Sequence, residues 1–192
     1  CTFSATVTTG GNDQVAVILC AALVPAGSTP PLADGTGRIP AALAPVALDC
    51  RERPGRVLSW AGRNWAVKDA TLPAGPGGFR FSSAPSDVWV DAEGLHLSLH
   101  FHDGAWWSTE VYLLDQLGYG TYTFKTRSRN DVLDVNAVFG AFLYDSFGDD
   151  TSGASPTREI DAVEDSRWGA HDGPNTQAVV QPYEITGNRH PF

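Results

Sequence analysis

Arg158-Glu159-Ile160-Asp161-Ala162-Val163-Glu164 places three carboxylates within the six residues from Glu159 to Glu164, with apolar residues between them. On a regular strand, side chains two apart share a face, so Glu159 and Asp161 point the same way. Glu164 lies five residues from Glu159, an odd offset, and would face away. One β-bulge between Asp161 and Glu164 adds a residue and restores the facing. The spacing therefore predicts a strand with one bulge near Ala162–Val163 and all three carboxylates on one side. Ile160, Ala162 and Val163 then ask for a packed opposite face. The competing reading is a strand with a solvated acidic face, which is the commoner fate of acidic clusters.

Outward from this segment the chain reads as short strands between turns. Val138 to Tyr144 (VFGAFLY) lies upstream of it, behind a Gly/Asp/Ser/Thr loop from Asp145 to Thr157. Trp106 to Leu114 (WWSTEVYLL) and Gly120 to Arg127 (GTYTFKTR) form a pair of strands joined through Leu117-Gly118-Tyr119-Gly120. Val57 to Trp65 (VLSWAGRNW) and Asp87 to Asp91 (DVWVD) read as strands, Gly75 to Gly78 as a loop, and Thr176 to Tyr183 as the last strand signal. Leu95 to Phe101 (LHLSLHF) alternates, with Leu95, Leu97, Leu99 and Phe101 on one side and His96, Ser98, His100 and His102 on the other. Histidines two apart on one strand are separated by about 7 Å, and no acidic residue interleaves on that face, so no metal is expected there. Long runs with helical apolar spacing are missing. The expected fold class is all-β, a sandwich or barrel.

The chain has 192 residues, 42% of them hydrophobic, which suffices for one sizeable core. A formal charge of −9 repels phosphate backbones, so no nucleic-acid partner is expected, while a neutral polysaccharide is compatible. Residues 1–52, rich in Ala, Pro, Thr and Val, read as one or two strands plus loops: an N-terminal extension or the end of a preceding module, ahead of a domain over 53–192. Val15 to Ala26 is the most apolar run. It is too short to span a bilayer as a helix, and no Lys or Arg precedes Arg38 to make it a signal peptide, so a buried strand is expected. Cys1, Cys20 and Cys50 offer no C-x-x-C pair for zinc or redox work. Cys20 and Cys50 could pair in an oxidising compartment. Cys1 is open to two readings, a lipid anchor on a processed lipoprotein and a fragment start.

Two carboxyl groups about 5–5.5 Å apart are the geometry of a retaining glycosidase. One attacks the anomeric carbon; the other protonates the leaving oxygen and later activates water. Asp161, between them, perturbs both, and such a cluster keeps one proton near neutral pH. Trp168, four residues past Glu164, is a candidate floor for a sugar ring.

Glu159-Ile160-Asp161-Ala162-Val163-Glu164 resembles the bulged E-x-D-x-x-E signature of family 16 glycoside hydrolases; the unbulged form would need a carboxylate at position 163, which is Val163. The similarity extends over about Arg56 to Phe192. It includes Trp60 to Lys68, Gly75-Pro76-Gly77, Val88 to Asp91 with Gly94 to Leu97, Gly118 to Tyr122, Ser166 to Gly169 and Gln177 to Tyr183. The resemblance implies a concanavalin A-like jelly roll of antiparallel sheets with a substrate groove on the concave one. It implies Glu159 as nucleophile, Glu164 as acid/base and Asp161 as the residue that tunes the nucleophile. Trp107, Glu110 and Gln181 become candidates to reach the groove from neighbouring strands. It also implies several more strands after Tyr183, so the jelly roll is expected to be incomplete at the C-terminus and the activity to belong to the complete protein.

The function so implied is retaining, endo-acting hydrolysis of a β-linked polysaccharide of the β-glucan or galactan class, without cofactor or metal. The protein is expected to be monomeric, extracellular or in the cell envelope, and without a membrane span. The alternatives are a non-catalytic carbohydrate-binding jelly roll and an adhesion or scaffold module. Non-catalytic relatives usually lose one of the two glutamates; both are present here.

Overall fold

The computed structural model describes residues 2–7, 16–23, 54–74, 79–115, 117, 120–145 and 158–192. Their strands are β1 (Thr2–Val7), β2 (Ala16–Leu23), β3 (Pro54–Trp60), β4 (Arg63–Lys68), β5 (Ala70–Ala74), β6 (Phe79–Phe81), β7 (Val88–Asp91) and β8 (Gly94–Leu97). They continue as β9 (His100–His102), β10 (Ala105–Leu113), β11 (Gly120–Lys125), β12 (Ala137–Asp145), β13 (Arg158–Asp165), β14 (Thr176–Val180) and β15 (Arg189–Pro191). A single 3-10 turn, Asn130–Val132, is the other regular element among the described residues. None of these residues forms a helix long and apolar enough to cross a membrane.

The architecture is all-β, with curled, mainly antiparallel sheets of jelly-roll type. The main sheet runs β15-β14-β13-β12-β2-β10-β4-β3. β10 belongs to two ladders: Ala105–Trp107 pair with β9 and Trp107–Ser108 with β6, whereas Thr109–Leu113 pair with β2 and β4. The ribbons β7–β8 and β1–β11 stand outside this sheet. Residues 1–52 contribute β1, on β11, and β2, in the middle of the main sheet between β10 and β12. Within the run read as a buried strand, Ala16–Leu23 supplies that central strand, and the other residues of the run lie outside the described ones. Cys1, Cys50 and most of the Asp145 to Thr157 loop lie outside the described residues.

Alternation gives the sheet two unlike faces. On one, Leu58, Trp65, Val67, Val111, Leu113, Ala141, Leu143 and Val163 are buried together with Val88, and Leu95, Leu97, Tyr122 and Phe124 from the two ribbons pack onto them. Fully burying each such aliphatic side chain contributes about 1.5–3 kcal/mol, so a one-residue slip that turned Val163 outward would be strongly disfavoured. On the other face a smaller cluster of Ala66, Phe81, Tyr112 and Phe142, flanked by Phe79 and Tyr144, borders the carboxylates described below.

Two sequence expectations are corrected by tertiary contacts. Val57 to Trp65 is a hairpin, not one strand: Ala61 and Gly62 take φ of 52° and 74°, which folds β4 back on β3. Leu95 to Phe101 is broken at Ser98–Leu99, because Ser98 donates both its backbone N–H (3.0 Å) and its hydroxyl (2.9 Å) to the carbonyl of Asp87. Two further differences concern pairing. β10 and β11, adjacent in sequence, lie in different sheets, and β15 forms beyond the last strand signal that the sequence reading identified.

Candidate active site

β13 is the bulged strand that its spacing requires. Against β12, Val163 pairs with Ala141 and Asp161 with Phe142, leaving Ala162 as the extra residue. Against β14, Asp161 pairs with Val179 and Glu164 with Gln177, so that four residues face three, again one extra. Glu159, Asp161 and Glu164 therefore oppose Tyr144, Phe142 and Gly140, alternate positions on one face of β12, while Ile160 and Val163 turn to the buried core. Deleting Ala162 would leave Glu-Ile-Asp-Val-Glu, a regular strand with the same facing. That deletion is expected to fold, with an unfolding free energy within about 1 kcal/mol of the parent. Loss of the folded state on denaturant titration would show that the bulge does more than correct the facing.

The three carboxylates are crowded and largely withdrawn from water. Asp161 is only 2% exposed. Burial, then the charge of Glu159 and the hydrogen bond to it, push Asp161 well above the usual carboxylate range, against the opposing bond from Gln181. The hydrogen bond between the two favours the charged form of Glu159 and the protonated form of Asp161. Burial also raises Glu159; the Asp161 hydrogen bond opposes this, and the charges of Glu164 and Glu110 add to it. Glu164 is pushed up to about 7 by burial and by Asp161, while the Gln177 hydrogen bond and the Arg189 cation pull it down.

A raised carboxylate pKa means that the folded state holds the proton longer than the unfolded chain does. Stability should then fall as pH rises from about 4.5 to about 7. Glu164→Gln removes the Glu164 share of that dependence, leaving the shares of Glu159 and Asp161. It is expected to gain on the order of 3 kcal/mol relative to the parent between pH 4 and pH 8, read from denaturant midpoints. Parallel stability–pH curves for the two proteins would contradict this.

Two glutamines from the β14 side hold the carboxylates. Gln177 donates its amide to Glu164 Oε2 at 2.5 Å and accepts from the Arg189 guanidinium at 2.6 Å. Gln181 donates to Asp161 Oδ2 at 3.0 Å and accepts from the backbone N–H of Tyr183 at 3.1 Å. Gln181 was singled out from sequence; Gln177 and Arg189 were not, since their roles depend on the β13–β14–β15 pairing.

Glu110 lies on the carboxylate side of the sheet but is fully buried, with Lys68 Nζ 3.0 and 3.1 Å from its two oxygens. Its position is inside the wall of the site, where it is as buried as Asp161. Trp107 is not on this side. Alternation along β10 puts Trp106, Ser108, Glu110 and Tyr112 on one face and Trp107 with Val111 on the other. The Trp107 ring stacks on His102 with centroids 4.9 Å apart. Trp106 is instead the exposed aromatic on the Glu110 face, in edge contact with exposed Phe101 at 5.4 Å. Trp168 lies in the turn beyond the Glu164 end of β13, with φ of 50°.

Asp87 supplies the acidic group that the histidine strand lacked. Its carboxylate lies 2.7 Å from His100 Nδ1 and accepts from Ser82 and Ser86. Burial works to raise its pKa, but those hydrogen bonds outweigh it and hold the carboxyl below its ordinary value. His96 is elsewhere, stacked on Trp89 and 2.9 Å from Asp91. No group of three or more His, Cys, Asp or Glu side chains able to hold a metal ion occurs among the described residues.

Comparison with known proteins returned no matching family model, curated protein or solved structure.

Proposed function

We propose that this chain carries the catalytic face of a retaining glycoside hydrolase of the family 16 type, which cleaves a β-linked polysaccharide internally by double displacement. The observation that carries the reading is the bulge at Ala162, which brings Glu159, Asp161 and Glu164 to one face of a buried sheet. In this reading Glu159 attacks the anomeric carbon as the glycosidic bond breaks, and Glu164 gives its proton to the departing oxygen. Water, deprotonated by Glu164, then releases the sugar from Glu159. A general acid must hold a proton near neutral pH, and a Glu164 raised to about 7 does so. The hydrogen bond between Asp161 and Glu159 supports the nucleophile role, because it favours the charged form of Glu159. Exposed Trp106 and Phe101 on the same face offer ring surfaces to a sugar chain. A polymeric substrate places the work outside the cytoplasm, in the extracellular space or cell envelope.

The test is hydrolysis of laminarin, lichenan and agarose by the full-length protein, with the first-formed anomer identified by proton NMR. The expected result is internal cleavage of one of them with retained β configuration. Inversion would overturn the mechanism. Binding without cleavage would instead support a non-catalytic carbohydrate-binding module.

A further inference from the structure

Gln177 has two nearly isosteric ends, an amide NH2 and a carbonyl oxygen, and its neighbours decide which end points where. Arg189, on β15, can only donate hydrogen bonds, so the Gln177 oxygen must face it, at 2.6 Å from the guanidinium. The NH2 end is thereby committed to Glu164, where it donates to Oε2. A protonated carboxyl oxygen is a poor acceptor, so occupation of Oε2 by this bond leaves Oε1 as the oxygen that carries a proton. Gln181 is oriented toward Asp161 by the same logic, but there the orienting donor is the backbone N–H of Tyr183, which no side-chain substitution removes. Arg189 is the removable member of the two relays.

We propose that Arg189, acting through Gln177, is a positioning residue for Glu164: it reserves Oε2 as an acceptor, so that the proton Glu164 delivers sits on Oε1. The proposal rests on the acid/base reading of Glu164. Without Arg189 the Gln177 amide is free to turn over. Its oxygen can then accept the Glu164 proton, which is held on the β14 side, away from the departing oxygen. The charged and titratable groups that act on Glu164 are Asp161 and Glu159 on its own strand and Arg189 on β15. Arg189 is hydrogen-bonded to a direct partner of Glu164. It also draws the Glu164 pKa down.

The experiment uses Arg189→Met and Arg189→Lys in the full chain, with aryl β-glycosides of good and poor leaving groups and a carbon-13 NMR titration of the Glu164 carboxyl. In Arg189→Met the Glu164 titration should move above its parent position. Yet kcat/KM should fall about 10–100-fold for poor leaving groups, which need the proton, and no more than about threefold for good ones. Arg189→Lys, whose ammonium also only donates, should recover most of the loss. A simple electrostatic role would leave more acid protonated without slowing its transfer. A merely structural role would slow both substrate classes alike. An unshifted Glu164 titration together with equal losses on both classes would overturn the proposal. If the parent protein cleaves no glycoside, the catalytic reading fails, and the titration still decides the relay: no shift in Arg189→Met, or in Gln177→Leu should the first variant not fold, overturns it.

Discussion

On the proposed mechanism Glu159→Ala should lower turnover by several orders of magnitude, and added azide should restore it with inverted anomeric configuration. Alanine leaves a gap where the nucleophile stood, and azide entering it attacks the anomeric carbon once, without a second displacement. Glu164→Ala should respond differently. The glycosyl-enzyme still forms on Glu159, slowly for poor leaving groups, and azide attacks it without needing a general base, giving retained configuration. The hydrogen bond between Asp161 and Glu159, which favours the charged form of Glu159, is what lets the assignment run in this direction along β13. Azide products formed the other way round would exchange the roles of the two glutamates. Full hydrolysis by both folded variants would end the catalytic reading.

The second large effect is on stability. Lys68 Nζ lies 3.0 Å from Glu110, with side-chain exposures of 6% and 0%, and sits 4.2 Å over the ring of Phe81. Removing either partner takes from the other buried charge the ion pair that compensates it. Lys68→Met and Glu110→Leu are therefore each expected to cost about 3–5 kcal/mol, measured by urea unfolding. The double variant replaces the ion pair by apolar side chains of similar volume and should lie close to the parent. Additive losses in the double variant, or no loss in the singles, would show that the pair is not buried and mutually compensated. Glu110 also adds to the charge felt by Glu159, so the pair forms part of the electrostatic wall of the site as well as of its support.

The facing of Glu159, Asp161 and Glu164 was legible in sequence because it depends on two local rules, alternation and the single residue a bulge inserts. Ile160 and Val163 carry the complementary demand for a packed face, and both demands are met by the same register. The all-β class was legible for the same reason: short apolar alternation between turn residues has no helical solution that buries it. Even the central strand β2 announced itself as an apolar run with no polar face.

Non-local pairing decided the rest. Trp107 and Trp106 are neighbours of equal aromatic character; alternation puts Trp106 with Glu110, but which face of β10 carries the carboxylates is set by its pairing with β2 and β4. Glu110 reads as an exposed carboxylate until β4 brings Lys68 against it. His100 lacks an acidic neighbour along its own strand and finds Asp87 thirteen residues earlier. Gln177 and Arg189 become a relay only because β15 folds back onto β14, placing a donor-only guanidinium against one end of an amide and Glu164 against the other. Alternation and bulging are properties of a single strand and can be read from one segment. Partner identity is a property of the sheet, set by which strands pair and by the burial that holds them in register.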